Sequence, residues 1–275
     1  MKDIAFILPS LAGVSIFVLI PFVDVLRRSV VNVTGSRFVF LDNYMAVFKN
    51  AAFRLAFSNT LRFMLICIPI LMALSLLIAV FLNSGFGALA GYLKSAYLVP
   101  MAVPVASVVL IWRLLFHQSG YFSGALHALG LPGQNWMSSG YAFWVLVFSY
   151  VWKNLGYNIV LWMAGLTSIP DTLYEAARAD GAGPFQCFRF ITMPHLLPTL
   201  YTITVLAFLN SFKVFREAYL VAGDYPHESM YLLQHLFNNW FRELSLDKMA
   251  AAAVVVALMI LALILFLQRS WDRED

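Results

Sequence analysis

The sequence predicts an all-α membrane protein with six spanning helices and one short amphipathic helix held outside the bilayer between spans four and five. Three observations carry this prediction. Of 275 residues, 61% are hydrophobic and only 12% are charged, against roughly 25% charged in a soluble globular domain. Several apolar stretches approach or exceed the ~20 residues needed to cross a hydrocarbon core. Between them lie polar connections in which proline, glycine and charge gather, among them a long one at 168–195. The net charge of +4 comes from scattered basic residues that form no run, so nucleic acid is not an expected partner.

In chain order, span one is read at 4–26, with Lys2 before it and Pro9 and Pro21 within it. Such prolines are tolerated in a membrane helix when neighbours satisfy the freed carbonyls. The apolar run is too long for a signal-peptide core, and no small-residue cleavage site follows it. Residues 27–60 are polar with short apolar patches, and partly helical. Spans two and three are read at 61–82 and 96–116, where Pro69, Pro100 and Pro104 mark kinks. A Gly- and Ser-rich connection at 119–140 leads to span four at 143–166. Spans five and six follow at 196–222 and 249–267. The whole, 1–275, reads as one transmembrane domain without internal repeats. Cys67 and Cys187 suggest no disulfide framework, and the five histidines have no metal-ligand spacing.

Charge bias does not orient the chain. With the N-terminus inside, Lys2, Lys94, Arg178, Arg189, Arg269 and Arg273 are cytoplasmic. Arg27, Arg28, Arg37, Lys49, Arg54, Arg242 and Lys248 then fall outside.

Polar groups at membrane depth are costly and are therefore functional candidates. In span four, Lys153 lies about ten residues in, roughly 15 Å deep at 1.5 Å per residue. Asn154 and Asn158 are one turn apart on one face, with Trp162 beyond them as a packing residue. Amides and aromatic rings on one face suit a sugar's hydroxyls and apolar ring faces. Span five offers Asn210, Lys213 and Glu217 at i, i+3 and i+7. The alternative is that Lys213 and Glu217 neutralise each other while the asparagines bind helices together. Arg62 and Arg113, near span ends, are expected to snorkel.

The segment 168–198 reads SIPDTLYEAARADGAGPFQCFRFITMPHLLP. Pro170 suits a first helical turn. Leu173, Ala176 and Ala177 share a face, and Asp171 and Glu175 place negative charge toward the helix N-terminus. Gly181 is a natural stop, because glycine takes the left-handed conformation cheaply. Pro184 can start a second short helix, and Pro194 the next span. An interfacial helix lying on lipid usually carries basic and large apolar residues. This one carries alanines and acids, which also suits close approach to a partner protein.

Here a resemblance enters. Glu175-Ala176-Ala177, Gly181 after three residues, and Ile191-Thr192-Met193-Pro194 after nine more match the spacing of the EAA loop of binding-protein-dependent ABC importers. Met193 stands where that family has Leu. Leu41-Asp42-Asn43-Tyr44, Leu98-Val99-Pro100 with Trp112-Arg113, and Ser211-Phe212-Lys213-Val214-Phe215 resemble phrases of its carbohydrate-uptake branch, most like the first of the two paired permeases.

The resemblance implies that 168–195 is a cytoplasmic coupling loop whose helix, Asp171–Asp180, enters a cleft of an ATPase subunit. Leu173, Glu175, Ala176, Ala177, Asp180, Gly181, Ile191 and Pro194 are then its coupling residues. It implies cytoplasmic N- and C-termini in a bacterial or archaeal plasma membrane. Implied partners are ABC ATPase subunits, a second homologous permease, an extracytoplasmic solute-binding protein and a small solute. No Gly-Lys-Ser or Gly-Lys-Thr occurs, so ATP and Mg are expected on the ATPase chains, with no cofactor on this one and no enzymatic site. Lys153, Asn154, Asn158, Asn210, Lys213 and Glu217 form the candidate solute path. The expected solute is a sugar or oligosaccharide. The alternatives are a polyol, glycerol phosphate or oligopeptide-like solute, or an ion-coupled secondary transporter with Glu217 as its acid.

Overall fold

The computed structural model describes residues 2–83 and 87–271, and Arg273 lies outside the described residues. Among the described residues the regular structure is helical, apart from one isolated bridge between Val31 and Phe38. In order, the helices are α1 (Lys2–Val14), α2 (Ile20–Ser29), α3 (Asp42–Lys49), α4 (Ala51–Asn83), α5 (Gly87–Ala102), α6 (Val105–Phe116) and α7 (Tyr121–Ala128). Then come α8 (Tyr141–Thr167), α9 (Asp171–Ala179), α10 (Pro184–Cys187), α11 (Met193–Ser211), α12 (Phe215–Ala222), α13 (Leu233–Arg242) and α14 (Leu246–Trp271). Wider π turns join α1 to α2 at Ser15–Leu19 and α10 to α11 at Phe188–Thr192.

Four helical runs are long and apolar enough to cross a membrane: Ile7–Ser29, Ala51–Asn83, Pro184–Ala222 and Leu246–Leu265. A fifth arises if the bent pair α5–α6 counts as one span. The third span expected at 96–116, with kinks at Pro100 and Pro104, is broken at Val103–Pro104, and the two halves turn by 93°. Pro104 supplies no N–H and holds ψ at 138°, so the helix restarts after it. The fourth expected span, α8, has 27 residues, about 40 Å of helix. Its tryptophans, tyrosines, asparagines and Lys153 dilute its apolar character, which keeps it out of the membrane-crossing set.

The helices form two compact units. In the first, residues 1–57 with 232–275, α14 packs on α2 and α3. The Asn43 amide, buried, donates to the carbonyls of Ser29 (3.1 Å) and Val31 (2.8 Å), and the Tyr44 hydroxyl donates to Ser29 Oγ (2.8 Å). Asn43 and Tyr44 thus satisfy the Ser29 carbonyl at the end of α2 and fasten the turn that follows it.

In the second unit, residues 58–231, α8 is the buried centre, packed on α5 and α11. Ala79, Leu82, Ile159, Trp162, Met163, Leu166, Leu196 and Ile203 form its core. Trp162 is buried as packing, its indole donating to Ser75 Oγ at 3.0 Å. Two glycines permit these crossings. A Cβ on Gly156 would lie 1.8 Å from the Tyr97 carbonyl oxygen, and one on Gly165 would lie 2.4 Å from Thr199 Oγ1. Both expected snorkelling arginines are engaged within the protein instead. Arg62 lies over the Phe143 ring, 4.6 Å from its centroid. Arg113 donates to the carbonyls of Leu220 (2.6 Å) and Val221 (3.3 Å), the C-terminal end of α12.

Candidate functional site

A break in one helical run and a tightened turn in another border a cavity against α8. One is the break between α5 and α6. The other lies between α11 and α12, where the chain tightens into a 3-10 turn at Phe212–Val214. Interrupted helices free backbone groups, which is tolerable at membrane depth only where the chain is buried or lines a cavity. The cavity, partly open, is about 280 Å3, lined by Met101, Val103, Pro104 and Val105 on one side and Ser149, Tyr150, Lys153 and Asn154 on α8. Asn210, Lys213, Val214, Arg216 and Glu217 complete it.

Five of the six residues marked as solute path therefore meet at one cavity, with Lys153 the thirteenth of 27 residues in α8. Asn158 does not join them. It is buried, and its amide nitrogen finds no hydrogen-bond partner among the described residues. The α5 backbone crosses α8 at Gly156, between the two asparagines in sequence.

Glu217 pairs with Lys153, not with Lys213. The side chains are 7% and 20% exposed, so this ion pair is largely removed from water. The second carboxylate oxygen of Glu217 has no partner among the described residues. Lys213 donates instead to Asn210 Oδ1 at 2.8 Å. Asn154 donates to the Tyr150 carbonyl (2.8 Å), and the Tyr150 hydroxyl donates across to the Ala207 carbonyl (2.5 Å), tying α8 to α11 beside the cavity. Tyr150 and Arg216 were absent from the sequence-derived set. Arg216 falls off the i, i+3, i+7 face of an ideal helix, and the 3-10 turn before it changes the angular step.

The predicted helix at Asp171–Asp180 is α9, with Pro170 as its N-cap and Asp180 as its C-cap. Pro170 therefore precedes the helix, one position before the first turn. Gly181 takes φ +86°. Ala182 N–H bonds the Ala177 carbonyl (2.9 Å) and Gly181 N–H bonds that of Arg178 (3.0 Å), the paired closure of a Schellman end. No residue of α9 is buried. Leu173, Glu175, Ala176, Asp180 and Gly181 are exposed, as is Pro194, while Ala177 and Ile191 are half-buried. Ile191 packs against the core of the unit. Ala177, Asp180, Gly181 and Ile191 share a depression of about 310 Å3 with Gln186 and Phe190.

The inward face of α9 was not singled out by sequence. Tyr174 packs on the core and its hydroxyl bonds Thr192 Oγ1 at 2.9 Å, which fastens α9 to the π turn that opens α11. The signal was available: Asp171, Tyr174 and Arg178 lie at i, i+3 and i+7, and all line the groove between α9 and Thr192. Cys187, expected in a polar loop, is buried at the end of α10, and Cys67 is buried in α4.

Comparison with known proteins agrees with this architecture. The chain is 32% identical over 241 residues to the trehalose/maltose transport system permease protein MalF of Thermococcus litoralis, covering 86% of this chain and 81% of that one. It is 30% identical over 277 residues to the sn-glycerol-3-phosphate transport system permease protein UgpA of Yersinia pestis, covering 98% and 93%. It is 25% identical over 279 residues to the lactose transport system permease protein LacF of Rhizobium radiobacter, covering 98% and 93%. A solved bacterial ABC transporter involved in the import of the acidic polysaccharide alginate shares the fold, with a TM-score of 0.86, 20% identity, and 99% and 95% of the two chains covered. The same transporter is known in complex with an alginate pentasaccharide-bound periplasmic protein. Residues 44–273 match the family of binding-protein-dependent transport system inner membrane components, and the chain belongs to that family, as the membrane-embedded permease subunit of an ABC importer.

Proposed function

We propose that α9 is the coupling helix, that the cavity at Lys153 and Asn210 lies on the solute path, and that the solute is a sugar or oligosaccharide. The observation that carries the first part is α9 itself. It is a fully surface-lying helix with small residues outward, a left-handed glycine closing it, and a tyrosine fastening it to the start of α11. Small outward residues let a partner's backbone approach closely, and Glu175 offers a carboxylate to N–H or basic groups of a cleft. The partners are separate ATPase subunits carrying ATP and Mg, a second homologous permease, and an extracytoplasmic solute-binding protein. Adding α8 and the bent pair α5–α6 to the four apolar runs gives six spans. With α9 on the ATPase side, both termini are cytoplasmic in a bacterial or archaeal plasma membrane. Three named relatives act on trehalose/maltose, lactose and sn-glycerol 3-phosphate, which supports a polyhydroxy solute. An ion-coupled mechanism using Glu217 is set aside by membership in an ABC family.

Crosslinking tests the docking reading. With Cys67 and Cys187 both buried, Ala176→Cys offers an exposed thiol of its own. It should crosslink to an ATPase subunit in the assembled complex, with a yield that changes with nucleotide. Absence of any crosslink in an active complex removes the support for docking. Asn154→Trp tests the path: it fills the cavity and should stop uptake while the complex still assembles.

A further inference from the structure

Resting on the reading of this cavity as the solute path, we propose that the solute is anionic: a polyhydroxy compound bearing a carboxylate or phosphate, held by Lys213 and Arg216. The charged residues lining the cavity are Lys153, Lys213, Arg216 and Glu217. Lys153 and Glu217 cancel in their ion pair. Lys213 makes one bond, to the neutral Asn210 amide oxygen, and its ammonium has two further donors. Arg216 is exposed, and among the described residues neither cation has a carboxylate within ion-pair distance.

Two exposed positive charges without a carboxylate at ion-pair distance among the described residues thus line one cavity. A guanidinium and an ammonium match a carboxylate or phosphate far better than a neutral hydroxyl. The aromatic lining is a single residue, Tyr150, a poor platform for neutral sugar faces. A second cavity, along α6 and α12, is about 470 Å3, and its one charged lining residue is Arg113, with no carboxylate. A cleft lined by one sign of charge raises the local concentration of the opposite ion.

The test uses the whole importer, with its ATPases, second permease and binding protein, in proteoliposomes. The probes are trigalacturonate, sn-glycerol 3-phosphate and maltotriose. One anionic probe should accumulate at least roughly tenfold faster than maltotriose, and Lys213→Gln with Arg216→Gln should cut that uptake by roughly tenfold or more. Which anionic probe enters distinguishes carboxylate from phosphate. Exclusion of both anionic probes overturns the inference. So does unchanged anionic uptake in the double variant, or its failure to co-purify with the second permease, which would place the carboxylates on that subunit. Asn154→Trp separates the two readings. If it leaves uptake intact, the path reading fails; if it blocks uptake of maltotriose alone, only the anionic inference fails.

Discussion

Gly156 sits where α8 meets α5 backbone to backbone, with room for a hydrogen and nothing larger. Gly156→Ala must push the Tyr97 carbonyl away, and overpacking of this kind costs about 1–3 kcal/mol. The detergent-purified protein should melt lower by about 2–4 °C for each kcal/mol lost. Gly124→Ala is the matched control, since a Cβ there meets nothing within 4 Å, and its melting point should hold or rise slightly. The Lys153–Glu217 pair makes a second residue-scale prediction. Lys153→Met leaves Glu217 as an unpaired, largely buried carboxylate, a change that costs about 3–5 kcal/mol. Lys153→Met with Glu217→Met removes both charges and should recover most of the loss. A thermal-melting double-mutant cycle measures this, and additive losses would show that the pair contributes no mutual stabilisation.

At the scale of elements, α9 depends on its ends. Gly181→Val leaves open space around the side chain but forces a β-branched residue to φ +86°. The left-handed conformation costs about 1–2 kcal/mol for an ordinary residue, so the Schellman end should open and transport should fall far more than protein yield. Tyr174→Phe should cost about 1 kcal/mol, the net worth of one hydrogen bond, and loosen α9 without unfolding it; hydrogen exchange at α9 amides reads both. The bounds of α9 and its glycine stop were legible in the sequence because helix caps are local chemistry, decided within a few residues. The cavity was legible only as a list of members. Lys153 and Glu217 are 64 positions apart, and Arg113 reaches carbonyls 107 positions away, so side-chain type announced a polar role without naming the partner. Proline announced a kink at Pro104 but not its size, a turn of 93°. Asn154 and Asn158 share an ideal face, yet the crossing at Gly156 separates them.

For the whole molecule, orientation is the outstanding physical quantity, since the lysines and arginines do not set it. An impermeant maleimide applied to intact cells should miss Ala176→Cys, while inside-out vesicles stripped of ATPase should expose it. Labelling from outside would reverse both termini. Composition decided the membrane class because a bilayer core leaves helices few alternatives. Six spans are expected from the sequence, whereas four runs, or five with the bent pair, are long and apolar enough to cross; α8 falls short because, buried among its neighbours, it holds polar groups that a lipid-facing helix cannot. The continuous run Pro184–Ala222 then has a mechanical meaning. Tyr174 grips this run at Thr192, and Asn210 stands eighteen residues further on, about 27 Å along the axis. The run behaves as a lever with its short arm in the hands of α9. A tilt of only about 10° would sweep Asn210 and Lys213 sideways by about 5 Å, roughly the spacing of one helical turn. If α9 is the coupling helix as proposed, a small displacement there is magnified at the cavity, and the stiffness of the helical run sets how much of each stroke arrives.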